Sequence, residues 1–260
     1  MKKSMEKLRV RIDQNLNRSE RTVALPIELE KIEDTITAYK HVCTTVHKKL
    51  CEYIPSAGKG TDGQSVERRL KKTSDFLLGQ SLSDQGRILS KQLGSSCLGQ
   101  VLLEAGGVCT SIGYNLVQYE ISVEQLVIQQ LESVLKTDLP SISKQRKHLD
   151  QLILELDTAK ARLAAAQAEE KQAGVISGSG KTDKCIEELD DIDRRVEMAR
   201  DTLATDMMTF LAKDAELAGM IAKFLDFKLE YHNSLADQVK NYLTSIFSTN
   251  IVGEDDTTKS

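Results

Sequence analysis

The chain has 260 residues, of which 40% are hydrophobic and 28% charged, a balance that excludes both an intrinsically disordered and a membrane-spanning protein. Aromatic residues make up only 4%, Trp is absent and three prolines occur, which favours long helices over a mixed sheet. The net charge is −4, but it is uneven: the first 184 residues hold 27 basic and 23 acidic side chains, and the rest hold 8 and 16. This asymmetry predicts contact with an anionic partner.

Residues 1–18 predict an amphipathic helix, because their large apolar residues fall on one stripe: Met1, Met5, Leu8, Ile12 and Leu16. At about 100° per residue the stripe covers an arc of roughly 80°. Basic residues occupy the remaining circumference: Lys2, Lys3, Lys7, Arg9, Arg11 and Arg18. We expect residues 1–20 to be disordered in solution and to fold on a bilayer. The alternative is an ordinary first helix packed on the core, and the pattern favours neither.

From Leu25 to Tyr53 the apolar residues alternate at spacings of four and three, which predicts a heptad helix. Pro26 suits the first turn of this helix, where its missing N–H costs nothing. Pro55 and the glycines up to Gly63 predict a loop. A basic cluster then precedes a more weakly periodic helix: Arg68, Arg69, Lys71 and Lys72.

The stretch Gln92–Tyr119 is poor in charge and rich in glycine, and Glu104 interrupts it, so it is no transmembrane span. Consecutive glycines predict a turn near Gly106-Gly107. The heptad pattern and the lack of charge predict that an apolar row in this stretch forms a dimer interface: Leu98, Leu102, Ala105, Cys109, Ile112 and Leu116.

The apolar pattern continues from Leu131 to Leu163 and contains Pro140, which predicts a helix that is kinked at the proline and ends near Lys171. Residues 174–180 form a Gly- and Ser-rich connection. A last helix, capped by Thr182 or Asp183, is expected to run to Ile246, and residues 249–260 are expected to be a disordered tail. We predict an all-α fold of three long, kinked, antiparallel helices in a coiled-coil bundle, with the N-terminal amphipathic helix in front.

Catalytic motifs are weak. Gly178-Ser-Gly-Lys-Thr182 resembles the end of a phosphate-binding loop, but Val175 stands where that motif needs glycine, and the preceding residues are helical. The five cysteines form no CxxC pair, and the four histidines fall in no metal-binding pattern. We therefore expect no catalytic residue, no metal and no cofactor, and reduced cysteines that pack in a cytoplasmic protein. No signal peptide is recognisable, since charges interrupt the N-terminus.

The order of elements derived above, a basic amphipathic segment followed by three long heptad helices with a kinked middle one, resembles that of the BAR family, and in particular its endophilin and nadrin branch. Asp206-Met-Met-Thr-Phe-Leu211, followed by Phe224 and Tyr231-His232, is similar to the third helix of that branch. Two further sets of segments resemble helices of nadrin-type (RICH-type) Rho GTPase-activating proteins. The second helix is resembled by Asp138-Leu-Pro-Ser-Ile142, with Lys144-Gln-Arg-Lys147 and Leu156-Asp157. The first helix is resembled by Glu67-Arg-Arg69 with Lys71-Lys72.

The resemblance implies a crescent-shaped, six-helix antiparallel homodimer whose BAR domain covers residues 21–248 and whose basic face lies on anionic, curved membrane. It also implies a parent protein with a downstream domain that activates Rho-family GTPases, at the plasma or endosomal membrane and the cortical actin cytoskeleton, with a role in endocytosis. One departure is that Ala164–Ala168 lacks the basic residues of endophilin-like tips, which argues against strong tubulation driven by the tips.

The residues predicted to bind anionic lipid are the basic ones: Lys2, Lys3, Lys7, Arg9, Arg11, Arg68, Arg69, Lys71, Lys72, Lys144, Arg146, Lys147, Lys160, Arg162, Lys171, Lys181 and Lys184. The preferred function is a membrane-binding, curvature-sensing or curvature-shaping dimer. The alternative is a coiled-coil scaffold that binds small GTPases or other proteins without contacting lipid. Nucleic acid is disfavoured by the pI of about 5.7 and the acidic last helix.

Overall fold

A computed structural model describes residues 25–58, 62–94, 96–173 and 180–251, with the exception of the side chains of residues 63, 64, 173 and 247–251. Within these residues the secondary structure is helical, without a strand, and the helices run in chain order as α1 Ile27–Tyr53, α2 Gly63–Leu70, α3 Ser74–Leu93, α4 Cys97–Val123, α5 Gln129–Ser133, α6 Leu139–Ala173, α7 Gly180–Leu211 and α8 Asp214–Ile251. Two π-helical turns join α4, α5 and α6: Glu124–Ile128 and Val134–Asp138. The all-α prediction is confirmed.

The predicted heptad of α1 is confirmed by burial, because Ile36, Cys43 and Leu50, seven residues apart, are all buried. The carbonyl of Pro26 accepts the N–H groups of Leu29 and Glu30, both at 3.0 Å, so the proline caps the helix, one position before the predicted first turn. The chain leaves the helix after Tyr53, and Gly58 takes a φ of +77°, which suits a glycine in the predicted loop.

As predicted, the helical path continues through Pro140. It lies in the first turn of α6, directly after the second π-helical turn, in which Leu139 N–H donates to the carbonyl of Val134. A proline ring collides with the carbonyl four residues earlier in a regular α-helix, here that of Lys136. A wider turn before the proline relieves this collision and leaves the helical path intact.

The turn predicted at Gly106-Gly107 is wrong. α4 runs through both glycines, and the turn lies instead at Gly94, whose φ is +71°. Ser96 follows it and caps α4, because its Oγ accepts the N–H of Gly99 at 3.0 Å.

Two other predicted boundaries also differ. α7 begins at Gly180, so Thr182 is inside the helix instead of capping it, and its hydroxyl donates to Glu170. The last helix is interrupted at Ala212 and Lys213, where the Lys213 N–H reaches only three residues back, to the carbonyl of Phe210. Of the predicted tail, residues 249–251 belong to α8, and residues 252–260 lie outside the described residues.

The chain divides into two compact units, of which the first comprises residues Met1–Thr44 and Ser133–Asp214. Its described part packs the first two-thirds of α1 against α6 and α7. The α6 and α7 helices are antiparallel, since Arg162 pairs with Glu188, Glu155 with Arg195 and Gln145 with Asp206. Its core is apolar along both helices: Leu149, Leu152, Ile153, Leu156, Val196, Leu203, Met207 and Phe210.

The second unit comprises Thr45–Glu132 and Ala215–Ser260. Within it α4 lies antiparallel to α8, because Asn115 bonds to Ser234 at 3.1 Å and the Tyr119 ring stacks on Tyr231 at 5.2 Å. α3 and α4 form a close antiparallel hairpin. A Cβ built on Gly79 would lie 2.6 Å from the Gly106 carbonyl oxygen, so the two helix backbones meet there without side chains between them.

Candidate interaction surfaces

The predicted membrane-inserting stripe and five of the predicted basic lipid ligands lie outside the described residues. These are Met1, Met5, Leu8, Ile12 and Leu16, with Lys2, Lys3, Lys7, Arg9 and Arg11. Their role stays a prediction.

The basic cluster on and after α2 divides into residues that face solvent and one that does not. Arg68, Lys71 and Lys72 are exposed, and Lys71 forms a surface ion pair with Glu67 at 2.7 Å. Arg69 is only 5% exposed, and its guanidinium pairs with the carboxylate of Glu124 at 2.6 Å. The prediction that Arg69 binds lipid is therefore wrong, because its charge is neutralised in the interior and faces no bilayer.

Arg69 instead belongs to a buried polar network that joins three segments of the second unit. Its Nη1 donates to Ser56 Oγ at 3.0 Å, and Ser56 in turn donates to Glu120. Glu124 also accepts the backbone N–H of Gly58 at 2.6 Å. The network connects the loop after α1 to the first π-helical turn through these hydrogen bonds.

A sequence signal for this network existed. Glu124 stands in heptad register with Val117 and Leu131, which are seven residues before and after it and are both buried. A carboxylate on the buried face of a helix requires a cationic partner, since desolvating it alone is costly. The pattern could thus have predicted a buried arginine or lysine opposite Glu124, although not which one.

On α6, Lys144 and Lys147 are exposed on the side opposite the buried Leu149 and Leu156, so they are available to an anionic surface. Arg146 is only partly exposed, and its Nε donates to Glu33 on α1 at 3.0 Å while its Nη1 donates to Asp150. Burial disfavours its charge, but the hydrogen bonds to Asp150 and Glu33 outweigh burial and raise the pKa of Arg146. Arg146 thus joins two helices in addition to any contact with lipid.

The remaining predicted lipid ligands lie toward the ends of α6 and α7. Arg162 pairs with Glu188 at 3.2 Å, and Lys181 pairs with Glu169, whose hydrogen bond raises the pKa of Lys181. Exposed lysines accompany them: Lys160, Lys171 and Lys184. The carboxylates beside Arg162 and Lys181 reduce the attraction that either can offer to an anion.

The described residues cover the predicted dimer row on α4 only in part. Leu98 is 60% exposed, and the other five members are half-buried: Leu102, Ala105, Cys109, Ile112 and Leu116. Further large apolar side chains are exposed on the same hairpin of α3 and α4: Leu77, Leu78, Ile88, Leu93 and Val101. A run of exposed apolar residues on one element is typical of an interface.

The described residues hold no group of three or more His, Cys, Asp or Glu side chains placed to bind a metal. Nor does any helix among them combine the length and the apolar character needed to cross a bilayer. What they present are long antiparallel helices with exposed apolar and basic residues. These features define a helical module that acts through its surfaces.

The chain belongs to the BAR domain family, whose model matches residues 1–248. It is similar to human Rho GTPase-activating protein 44, with 31% identity over 236 residues, 89% of this chain and 28% of that protein. It is also similar to human Rho GTPase-activating protein 17, with 31% identity over 233 residues, 89% of this chain and 25% of that protein. Human SH3 domain-binding protein 1 is 24% identical over 79% of this chain.

The chain thus spans about a quarter of the length of the Rho GTPase-activating relatives it matches. BAR domains as a family are non-catalytic modules that dimerise and associate with membranes.

Proposed function

We propose that this chain forms a homodimer that binds anionic, curved membrane, senses or shapes the curvature, and thereby places a Rho GTPase-activating parent protein there. The membrane would be the cytoplasmic face of the plasma membrane or an endosome, next to cortical actin and sites of endocytosis. The observation that carries the proposal is the set of apolar side chains on the α3–α4 hairpin that stay exposed among the described residues and that a second copy of the chain would bury.

Dimerisation is supported by where the exposed apolar residues lie. Leu98, Val101 and Leu93 are exposed close to the turn of the hairpin, beside the half-buried predicted row on α4. Burying apolar surface stabilises an association by about 25 cal/mol per Å². Two copies of a helical hairpin that leave such a face exposed are stabilised by pairing along it.

Membrane binding is supported by the exposed lysines, among which Lys144 and Lys147 lie one turn apart on α6. Each basic side chain near an anionic surface contributes about 1 kcal/mol. A dimer doubles the number of such contacts, which makes weak individual attractions sufficient for reversible binding.

The link to Rho-family GTPases comes from the relatives, two of which are named Rho GTPase-activating proteins. In the parent protein, GTPase activation would reside in a domain beyond this chain. The BAR domain would contribute location, by concentrating that domain at the membrane.

Sedimentation of the Leu98→Asp variant tests the dimer. The native chain should sediment as a dimer at micromolar concentration, and a buried, unpaired carboxylate in the interface should shift the variant toward monomer. Met198→Asp is the matched control, since Met198 is similarly exposed but lies on α7 of the other unit. A native chain that sediments as a folded monomer would contradict the proposal.

Vesicle co-sedimentation separates the membrane function from the protein scaffold. A lipid-binding dimer should pellet with vesicles that contain phosphatidylserine and should remain in solution with neutral vesicles. A scaffold that binds small GTPases without lipid would remain in solution with both. Loss of binding at raised salt should accompany the first result, because screening weakens exposed charges.

A further inference from the structure

One outward face of α7 presents an open groove whose charge is mostly negative. We call it the acidic groove, and its lining consists of Asp183, Ile186, Glu187, Asp190, Asp193 and Arg194. The guanidinium of Arg194 pairs with Asp191, outside the lining, at 3.7 Å. Within the described part of the chain no cation forms an ion pair with the four lining carboxylates, and Ile186 beside them is 42% exposed. The acidic groove thus combines uncompensated negative charge with an exposed apolar side chain.

The acidic groove faces away from the core of the first unit. The buried residues of α7 lie on the opposite side of the helix: Ile192, Val196 and Leu203. A third side of α7 contacts α6, through the ion pairs of Glu188 and Arg195. The groove is therefore open to a segment that neither α6 nor the apolar core provides.

The path of α1 shows which segment lies nearest. Tyr39 contacts Phe210 of α7, with ring centroids 5.9 Å apart. Glu33 pairs with the α6 residue next to Gln145, and Gln145 itself bonds to Asp206. Moving backward along α1 therefore moves toward the start of α7, so the two helices are parallel. The chain that precedes α1 is directed toward the acidic groove, in the same unit.

The segment before α1 is long enough to cover the groove. Leu25 is fully buried and fixes the point where this segment leaves the core, about eight residues earlier along α7 than Asp206. Asp183, at the far end of the groove, lies roughly 15 residues or 23 Å further on. Residues 19–24 span up to about 20 Å when extended. Residues 1–18 are about 27 Å long as a helix, so they reach the whole groove.

The charge of residues 1–18 is opposite to that of the groove. Six basic and two acidic side chains give the segment a net charge of +4, whereas four acids and one arginine give the groove lining −3. Single exposed ion pairs contribute little. A short tether, however, raises the effective concentration of the segment to the order of mM, so several weak pairs act together.

We propose that residues 1–18 dock in the acidic groove of α7 when no membrane is present, and that anionic lipid displaces them. The same six basic side chains would contact either the groove or the lipid headgroups, so the two states compete. In the full chain, the docked state replaces the disorder expected of residues 1–20 on their own. The docking is independent of the proposed membrane function, whereas displacement by lipid rests on it.

Limited digestion of the full 260-residue chain with trypsin tests the docking without any membrane. Trypsin cuts after the Lys and Arg residues of the segment, and it cuts only in the fraction of molecules whose segment is released. The groove variant neutralises the four lining acids: Asp183→Asn, Glu187→Gln, Asp190→Asn and Asp193→Asn. At low salt it should lose residues 1–18 at least about tenfold faster than the native chain, since four weak ion pairs together supply a factor of that order. At about 0.5 M salt the two rates should converge, because the charges are screened.

The matched control removes four charges from exposed residues of α8: Glu216→Gln, Asp226→Asn, Glu230→Gln and Asp237→Asn. It should be digested at the native rate, and thermal unfolding of both variants should stay close to native because the changes are at the surface. Equal rates for the native chain and the groove variant at low salt, or an equal acceleration by the control, would overturn the proposal. Slow digestion of both chains at every salt concentration would overturn it too, since a core helix resists salt.

Carbodiimide cross-linking locates the contact, because this reagent joins an amine to a carboxylate only where the two groups touch. Mass spectrometry should find cross-links between residues 1–18 and residues 183–193 at low salt. Cross-links confined to acids outside the groove would contradict the docking site.

Phosphatidylserine vesicles then test displacement by lipid. The groove variant should bind them up to about tenfold more tightly than the α8 control, because a docked fraction lowers apparent affinity in proportion. Equal binding of the two variants would overturn the competition with lipid. Failure of every chain to bind vesicles would refute the membrane function and, with it, the displacement, while the docking would stand on the digestion result.

Discussion

The buried ion pair of Arg69 and Glu124 shows how differently two neighbouring basic residues can act. Arg69 and Lys71 stand two positions apart, yet the first pairs inside the second unit and the second pairs with Glu67 at the surface. An exposed ion pair contributes little, because water and salt screen it. A buried pair is sensitive to loss of one partner, because the other charge remains desolvated.

We therefore expect Arg69→Ala to lower the free energy of unfolding by about 3–5 kcal/mol. Lys71→Ala, the matched control, should change it by about 0–1 kcal/mol. Urea unfolding followed by circular dichroism measures both. Replacing both partners, Arg69→Met with Glu124→Leu, should recover much of the loss, and equal effects of the two alanine variants would contradict the buried network.

At the scale of elements, the α3–α4 hairpin depends on glycine at its contact points. A Cβ on Gly106 would lie 2.7 Å from the Gly79 carbonyl oxygen and equally close to the Ser83 nitrogen, both backbone atoms that cannot move aside. A Cβ on Gly107 would meet nothing within 4 Å. A side chain therefore has no space at position 106, whereas position 107 has space for one.

Gly106→Ala should destabilise the fold by about 1–3 kcal/mol through overpacking. Gly107→Ala should stabilise it by about 0.5–1 kcal/mol, because alanine loses less backbone freedom than glycine in a helix. Thermal and urea unfolding at one protein concentration compare them directly. Similar effects of the two substitutions would mean that α3 and α4 do not approach as closely as described.

At the scale of the whole molecule, electrostatic attraction should depend on exposed lysines of α6 and not on total charge. Reversing Lys144 and Lys147 together to Glu should weaken binding to phosphatidylserine vesicles at least about tenfold, since four charges change sign in a dimer. Arg146 stays unchanged in this variant, because it forms ion pairs with Glu33 and Asp150 and its reversal would disturb the fold.

Lys223→Glu with Lys240→Glu is the matched control, since it makes the same change of charge on exposed residues of α8. Its binding should stay close to that of the native chain. An equal loss in both variants would show that net charge alone governs the attraction.

The N-terminal segment makes a separate prediction for the whole molecule. Leu8→Glu with Ile12→Glu should strongly reduce vesicle binding, because burying each of these side chains contributes up to about 1.5–3 kcal/mol to insertion. The dimer should stay intact, because the stripe lies outside the predicted heptad rows. Gln14→Glu with Asn17→Glu adds the same charge off the stripe and should have a smaller effect. The isolated peptide should gain helicity only with anionic vesicles, and a double variant that loses its dimer would identify a core helix instead.

Local sequence patterns correctly predicted the helical class, the heptad of α1 with its buried Ile36, Cys43 and Leu50, and the passage of a helix through Pro140. These features follow from local rules, since spacing sets which residues share a face and the missing N–H of proline limits where it can lie. The family resemblance added the BAR assignment, which the family model bears out over residues 1–248.

The contacts between residues that are distant in the chain could not be predicted from such patterns. In the sequence, Arg69 has the same basic character as Arg68 and Lys72. In the structure it pairs with Glu124, which stands 55 positions later in the chain. Gly106-Gly107 predicted a turn because consecutive glycines usually mark one, whereas the close approach of α3 requires a glycine at position 106 inside a helix. Long-range pairing of this kind depends on complementary shape and charge between distant residues, which local periodicity does not contain.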